Sequence, residues 1–178
     1  DDKIIKNYIC SINLGLLGYN TYKVYFKVKN SRVEEKRFLE TLLKDKNVIH
    51  LLKTTGIFDY SATIAVKNIK ELDEFILGLK GDFKEFIADY SISIIIYSRI
   101  FKLSKLLVGQ KEEILKFERY SSDDLKESID EKDKLILKEL SQNANLSLID
   151  LAEKTKLSLD IIKYRLKILK NKNLINSY

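Results

Sequence analysis

The stretch that decides the reading is Ser147–Tyr178, SLIDLAEKTKLSLDIIKYRLKILKNKNLINSY, which reads as two short helices joined by a tight turn and followed by the start of a wing. Ser147 is an N-cap with Asp150 three residues on, beside the unpaired amides of the first turn. Leu148, Leu151 and Ala152 supply an apolar stripe at helical spacing. Thr155 to Ser158 make the turn, and Ser158 caps a second helix whose inner face is Ile162, Leu166 and Leu169. The opposite face of that helix carries Asp160, Ile161, Lys163, Tyr164 and Lys167, with Arg165 and Lys170 at its flanks.

After Asp160 no acidic residue occurs, while Lys163, Arg165, Lys167, Lys170 and Lys172 add five positive charges. Such a face is the footprint expected where a helix enters the DNA major groove. On charge alone a solvated surface explains it as well, since 32 of the 178 residues are Lys or Arg. Paired, capped helices with a tight turn shift the balance toward DNA. The candidate DNA-binding residues are Ser158, Asp160, Ile161, Lys163, Tyr164, Arg165, Lys167 and Lys170. Lys163, Tyr164 and Lys167 make the outward contacts, and Arg165 a phosphate or helix-end contact. Asp160 tells against this reading, because a carboxylate repels phosphates, although it can accept from a cytosine amine.

Upstream, IDEKDKLILKEL (Ile129–Leu140) supplies a first helix packed through Ile129, Leu135, Ile136 and Leu140, ended by the polar run SQNAN. Asp130, Glu131 and Asp133 are its first-turn charges. With this helix in place, the segment resembles the winged helix-turn-helix of the Lrp/AsnC (feast/famine) transcription regulators. The resemblance rests on Ile129, Asp130, Asp133, Leu140, Asn143, Ala144, Ser147, Leu151, Ala152, Leu157, Ser158, Arg165, Leu166, Leu169 and Ile175.

The rest of the chain sets the bounds. With 178 residues, 45% of them hydrophobic, it can build one ordinary domain or two small ones. A net charge of +6 suits nucleic acid or any acidic surface. The single cysteine, Cys10, cannot form an internal disulfide, which points to the cytoplasm and to a strand position for Cys10. No apolar run is long enough to span a bilayer, so no membrane partner is expected. Methionine is absent, which suggests a fragment or a processed chain.

From the N-terminus, residues 4–13 read as a strand and 14–20 as a turn with two glycines. Thr21–Val28 alternates as a half-buried strand, and a helix follows at Phe38, Leu39, Leu42 and Leu43. Val48–Thr54 and Tyr60–Val66 form a hairpin with Gly56 at its turn. A second helix lies on Ile69, Leu72, Phe75, Ile76 and Leu79, and a last strand runs from Ile87 to Phe101. This is the βαββαβ order of a ferredoxin-like sandwich, with both helices on one sheet face. The other face, with Lys23, Tyr25, Ile49, Leu51, Thr63, Ala65, Ile95 and Tyr97, needs a cover, and self-association into a homodimer or higher homo-oligomer supplies one.

INLGLLGY (Ile12–Tyr19), NVIHLLKTTGIFDY (Asn47–Tyr60) and AVKNIKELDEFI (Ala65–Ile76) are similar to the ligand-sensing, oligomerising domain of the same family. That resemblance implies a small-molecule effector such as an amino acid near Gly56 and Asp59, although a plain hairpin glycine with a turn aspartate explains the pair equally well. The fold class is α+β, a ferredoxin-like βαββαβ sandwich followed by a winged helix-turn-helix. Its divisions are 1–20, a residual wing strand and crossover; 21–104, the sensing and oligomerisation domain; 105–128, a linker with short strands at Leu106–Val108 and Ile114–Phe117; and 129–178, the DNA-binding domain with a truncated wing. The family ordinarily places the DNA-binding domain first, so the order here suggests the middle of a tandem-repeat member.

Enzymatic signals are sparse. His50 is the sole histidine, set in an apolar run, and with one cysteine it gives no metal site. The sequence carries no phosphate-binding glycine loop and no nucleophile elbow, so no catalytic residue and no cofactor are expected. Two alternatives to a double-stranded DNA partner stand: an enzyme like the sirohaem decarboxylases, which share this two-domain build but use basic and histidine residues, and an oligomerisation module that no longer binds DNA.

Overall fold

The computed structural model of the chain describes residues 8, 10–101, 114–119 and 127–177. Most of the first expected strand (4–7 and 9), Leu106–Val108, residues 120–126 of the expected linker and Tyr178 lie outside the described residues. The described residues fall into two compact units, one formed by 18–98 with 119, the other bringing 8, 10–17, 99–101 and 114–118 together with 127–177.

The first unit is a four-stranded antiparallel sheet carrying two helices. Its elements are β2 (Asn20–Val28), α1 (Arg32–Lys44), β3 (Val48–Lys53), β4 (Tyr60–Val66), α2 (Ile69–Asp82) and β5 (Ile87–Ile95), and the sheet order is β3-β4-β2-β5. This is the expected βαββαβ sandwich. Period-two alternation sets its inner face: Tyr22, Val24 and Phe26 of β2 stand beside Ile64, Ala62 and Tyr60 of β4, and all six are buried. Phe38 and Leu42 from α1 and Leu72, Ile76 and Leu79 from α2 close that core. Ser31 caps α1 by accepting from the Glu34 amide, and Asn68 caps α2 by accepting from the Glu71 amide.

Two details of this unit differ from the sequence pattern. The long last strand stops at Ile95, and Tyr97–Phe101 (β6) instead pairs with Ile114–Arg119 (β7) in a separate two-stranded ribbon. Leu51, expected on the uncovered face, is paired with Ala62 and packs on the helix-side core, because a bulge between Val48 and His50 shifts the register of β3.

The second unit has three helices, α3 (Glu131–Gln142), α4 (Leu148–Thr155) and α5 (Leu159–Asn171), followed by β8 (Ile175–Ser177). Ile136, Leu137, Leu140, Leu151, Ile162, Leu166 and Leu169 form its core. Leu135, assigned to that core from the sequence, is half exposed, and Leu137 takes its place because the inward stripe of α3 runs through Asp133, Ile136, Leu137 and Leu140.

The N-terminal segment belongs to this helical unit. β1 (Ser11–Ile12) pairs antiparallel with β8, the Cys10 amide donates to the Leu140 carbonyl at 3.1 Å, and the Asn13 amide donates to the Leu174 carbonyl at 2.9 Å. The Cys10 side chain is buried among the helix-turn-helix residues. The two stretches read from the sequence as halves of two different wings therefore pair with each other.

Lys156, between α4 and α5, has a left-handed backbone with φ of 57°. A β-carbon there costs about 1 kcal/mol, partly offset because glycine gains freedom in the unfolded chain. Lys156→Gly is expected to stabilise the helical unit by about 0.5 kcal/mol, read as a small upward shift of its urea midpoint; a downward shift would mean that the Lys156 side chain makes a stabilising contact.

Candidate nucleic-acid interface

Capping fixes where each helix of the three-helix unit begins. Asp130 accepts from the Asp133 amide and Asp133 accepts from the Asp130 amide, a reciprocal capping box that starts α3. Ser147 and Asp150 repeat the arrangement at α4, where the Asp150 carboxylate takes both the amide and the hydroxyl of Ser147. That hydroxyl is the leading reason the Asp150 carboxyl lies below its usual value, with the Ser147 amide next. Ser158 caps α5 by accepting from the Ile161 amide at 3.4 Å.

These starts orient α5 so that Ile162, Leu166 and Leu169 are buried while Asp160, Lys163, Tyr164 and Lys167 form an outward stripe at intervals of three and four residues. Tyr164 is 62% exposed. Lys163 and Lys167 have no ion-pair partner among the described residues, so their charges are open to an incoming polyanion. Ser158 lies exposed at the head of this stripe and Lys170 exposed near its foot, while Ile161 is half-buried beside it.

Arg165 is placed differently. Its guanidinium reaches back to α3, 2.7 Å from Asp130 and 3.4 Å from Asp133, and its side chain is only 25% exposed. The ion pairs hold α5 against α3 and leave Arg165 turned away from the lysine stripe. Asp133 is 95% buried, at 5% exposure, and its Oδ1 has no hydrogen-bond partner among the described residues. The Asp130 carboxyl is lowered, first by the Asp133 amide and then by the Arg165 charge. The sequence carries a signal for this latch that helix-dipole charge does not explain: an aspartate on the apolar stripe of α3.

The proposed effector pair lies on the hairpin of the other unit. Gly56 has φ of +136° with open space where a side chain would stand, so glycine is required there by the backbone alone. Asp59 is engaged by its own chain: Oδ2 accepts from the Val28 amide at 2.9 Å and Oδ1 lies 3.2 Å from the Lys27 ammonium. Its carboxyl is held below the usual value, first by the Val28 amide and then by Lys27. A lowered carboxyl stabilises the fold above the unfolded value of about 4 and loses that contribution as pH falls through the folded value. Asp59→Ala is expected to cost about 1 kcal/mol at pH 7, with the gap from wild type closing in paired melts as pH falls below the ordinary carboxylate range and through the lowered folded value; a gap that stays constant with pH would remove the ionised carboxylate from the account.

His50 is exposed on β3, across from Thr63. No cluster of three or more metal-ligating residues occurs among the described residues, and no helix there is long and apolar enough to cross a membrane.

Residues 129–176 match the family model of winged helix-turn-helix DNA-binding domains. The chain is similar in fold to the sirohaem decarboxylase NirDL, at 18% identity and a TM-score of 0.62 over 98% of this chain and 49% of that one. The same enzyme in complex with an iron-uroporphyrin III analogue matches equally, at 17% identity and a TM-score of 0.62 over 98% and 49% of the two chains. An AsnC family transcriptional regulator from Agrobacterium tumefaciens is similar over 53% of this chain and 62% of that one, at 21% identity and a TM-score of 0.46. The chain thus spans about half the length, 49%, of the decarboxylase chain that it matches. No protein of curated function matches it.

Proposed function

We propose that the chain is a DNA-binding transcription regulator of Lrp/AsnC type, in which α5 reads the major groove and the ferredoxin-like unit joins copies through the sheet face opposite its helices. The carrying observation is the open stripe of Lys163, Tyr164 and Lys167 on the third helix of a domain that matches DNA-binding winged helices. A single reading helix makes few base contacts, so affinity requires two half-sites and a paired reader. The sheet face suits that pairing, since Lys23, Tyr25, Thr63 and Ile95 stand opposite the helix side. Modulation by a small molecule bound near the Gly56–Asp59 hairpin completes the reading.

Phosphate neutralisation releases counterions, so affinity falls with salt in proportion to the number of contacts. Wild type is expected to bind DNA from its own upstream region with a steep salt dependence. Lys163→Ala combined with Lys167→Ala should weaken binding and make the slope of log K against log salt shallower by about 2. A folded, oligomeric wild type with no salt-dependent affinity for any duplex would leave the assembly module as the function.

A further inference from the structure

The three helices of the winged unit treat their first-turn acids differently. In α3 and α4 an acid at the third helical position folds back on the cap, Asp133 onto the Asp130 amide and Asp150 onto the Ser147 amide and hydroxyl, while the other first-turn acid of α3, Glu131, pairs with Lys134. In α5 that third position is Ile161, and the acid is moved one residue forward to Asp160. There it makes no capping bond, has no ion pair or hydrogen bond among the described residues, and lies exposed on the same outward stripe as Lys163, Tyr164 and Lys167. Favourable interaction with the helix dipole accounts for an acid in the first turn. It does not account for an unpartnered carboxylate placed at the leading end of the face that meets DNA, where phosphates would repel it.

A carboxylate is tolerated there if it reaches past the backbone to a hydrogen-bond donor on a base edge. The four bases differ in what they present in the major groove. Guanine shows two acceptors, thymine an acceptor and a methyl, and adenine an amine beside the N7 acceptor; cytosine shows an amine with no acceptor next to it. A carboxylate is therefore attracted by cytosine and opposed, wholly or in part, by the other three. Resting on the reading of α5 as a DNA reader, we infer that Asp160 is its specificity-determining residue and that each half-site carries a cytosine whose N4 amine donates to the Asp160 carboxylate. Lys163 and Lys167, one and two turns on, offset the repulsion of Asp160 by the flanking phosphates and supply the sequence-independent part of the affinity.

The test is selection of duplexes by the full chain from a randomised library, followed by titration of the selected duplex against versions changed at single positions. One cytosine per half-site should dominate, with about a tenfold loss on its replacement by thymine. Asp160→Ala should lose that preference while binding unselected DNA more tightly, since a negative charge has left the phosphate-facing surface. Asp160→Asn should move the preference to adenine, whose amine and N7 an amide can meet together. If wild type and Asp160→Ala bind DNA but select the same base at every position, Asp160 reads nothing and the assignment is overturned while the DNA-reader function stands. If no duplex is bound in a salt-dependent way by wild type, the DNA-reader function fails, and the assignment with it.

Discussion

Arg165→Leu is expected to destabilise the winged unit by about 3 kcal/mol, the lower end of the cost of stripping the partner from a buried charge. Asp133 is 95% buried, at 5% exposure, and one of its oxygens already lacks a partner among the described residues. Its other oxygen is shared between the Asp130 amide at 3.2 Å and the Arg165 guanidinium at 3.4 Å. Without Arg165 the carboxylate keeps one amide bond and no counter-charge, in a position from which water is nearly excluded. Asp130 loses its 2.7 Å ion pair in the same step, but it is solvated and adds little. Urea unfolding should show the loss, and Asp133→Leu placed on top of Arg165→Leu should recover a large part of it, because an apolar pair has no charge to strand. DNA titration gives an independent readout. If Arg165 is a latch, folded Arg165→Leu keeps the wild-type salt slope; if it is a phosphate contact, the slope falls by about 1. A stability change within about 0.5 kcal/mol of zero would remove the latch from the account.

The contrast between Arg165 and its neighbours shows what local sequence can and cannot supply. Local rules reached the N-caps at Ser147 and Ser158, the buried stripe Ile162, Leu166 and Leu169, and the outward set Lys163, Tyr164 and Lys167, because each follows from spacing within one helix. Arg165 lies between the two faces, and its direction is decided by Asp130 and Asp133, more than thirty positions away. Helical spacing has no access to such a partner. The same limit explains Leu51, whose facing depends on a bulge that alternation does not announce. It also explains Cys10, expected in a strand: it lies one residue before β1, and its place in the helix-turn-helix core rests on pairing between β1 and β8 at opposite ends of the chain. The βαββαβ order was readable throughout because consecutive elements of the ferredoxin-like unit differ in period, two for strands and 3.6 for helices.

Phe38→Ala should produce the largest single loss in the ferredoxin-like unit, about 4 kcal/mol. Phe38 is fully buried, and four rings surround it: Phe26 at 5.2 Å, Phe83 at 5.3 Å, Phe86 at 5.6 Å and Tyr60 at 6.1 Å between centroids. Through those contacts one side chain on α1 joins β2, β4 and the turn that follows α2. Truncation removes the burial of a large ring, leaves a cavity that four rigid neighbours cannot close, and forfeits several edge-to-face pairs at once. For a unit of this size the loss corresponds to a fall in its melting temperature of more than about 15 °C. The helical unit has its own core with no residue in common with this one, so a separate transition should remain near the wild-type temperature. If copies pair through the sheet face as proposed, then at a temperature that melts only the ferredoxin-like unit that pairing is lost, and affinity for a two-half-site operator should drop to that for a single half-site while the salt slope per reading helix persists. Phe38→Leu, which keeps most of the volume, should show the same pattern at a fraction of the size. Were both transitions to fall together in Phe38→Ala, the two units would fold as one cooperative body, and the loss of DNA affinity would report global unfolding rather than the loss of pairing.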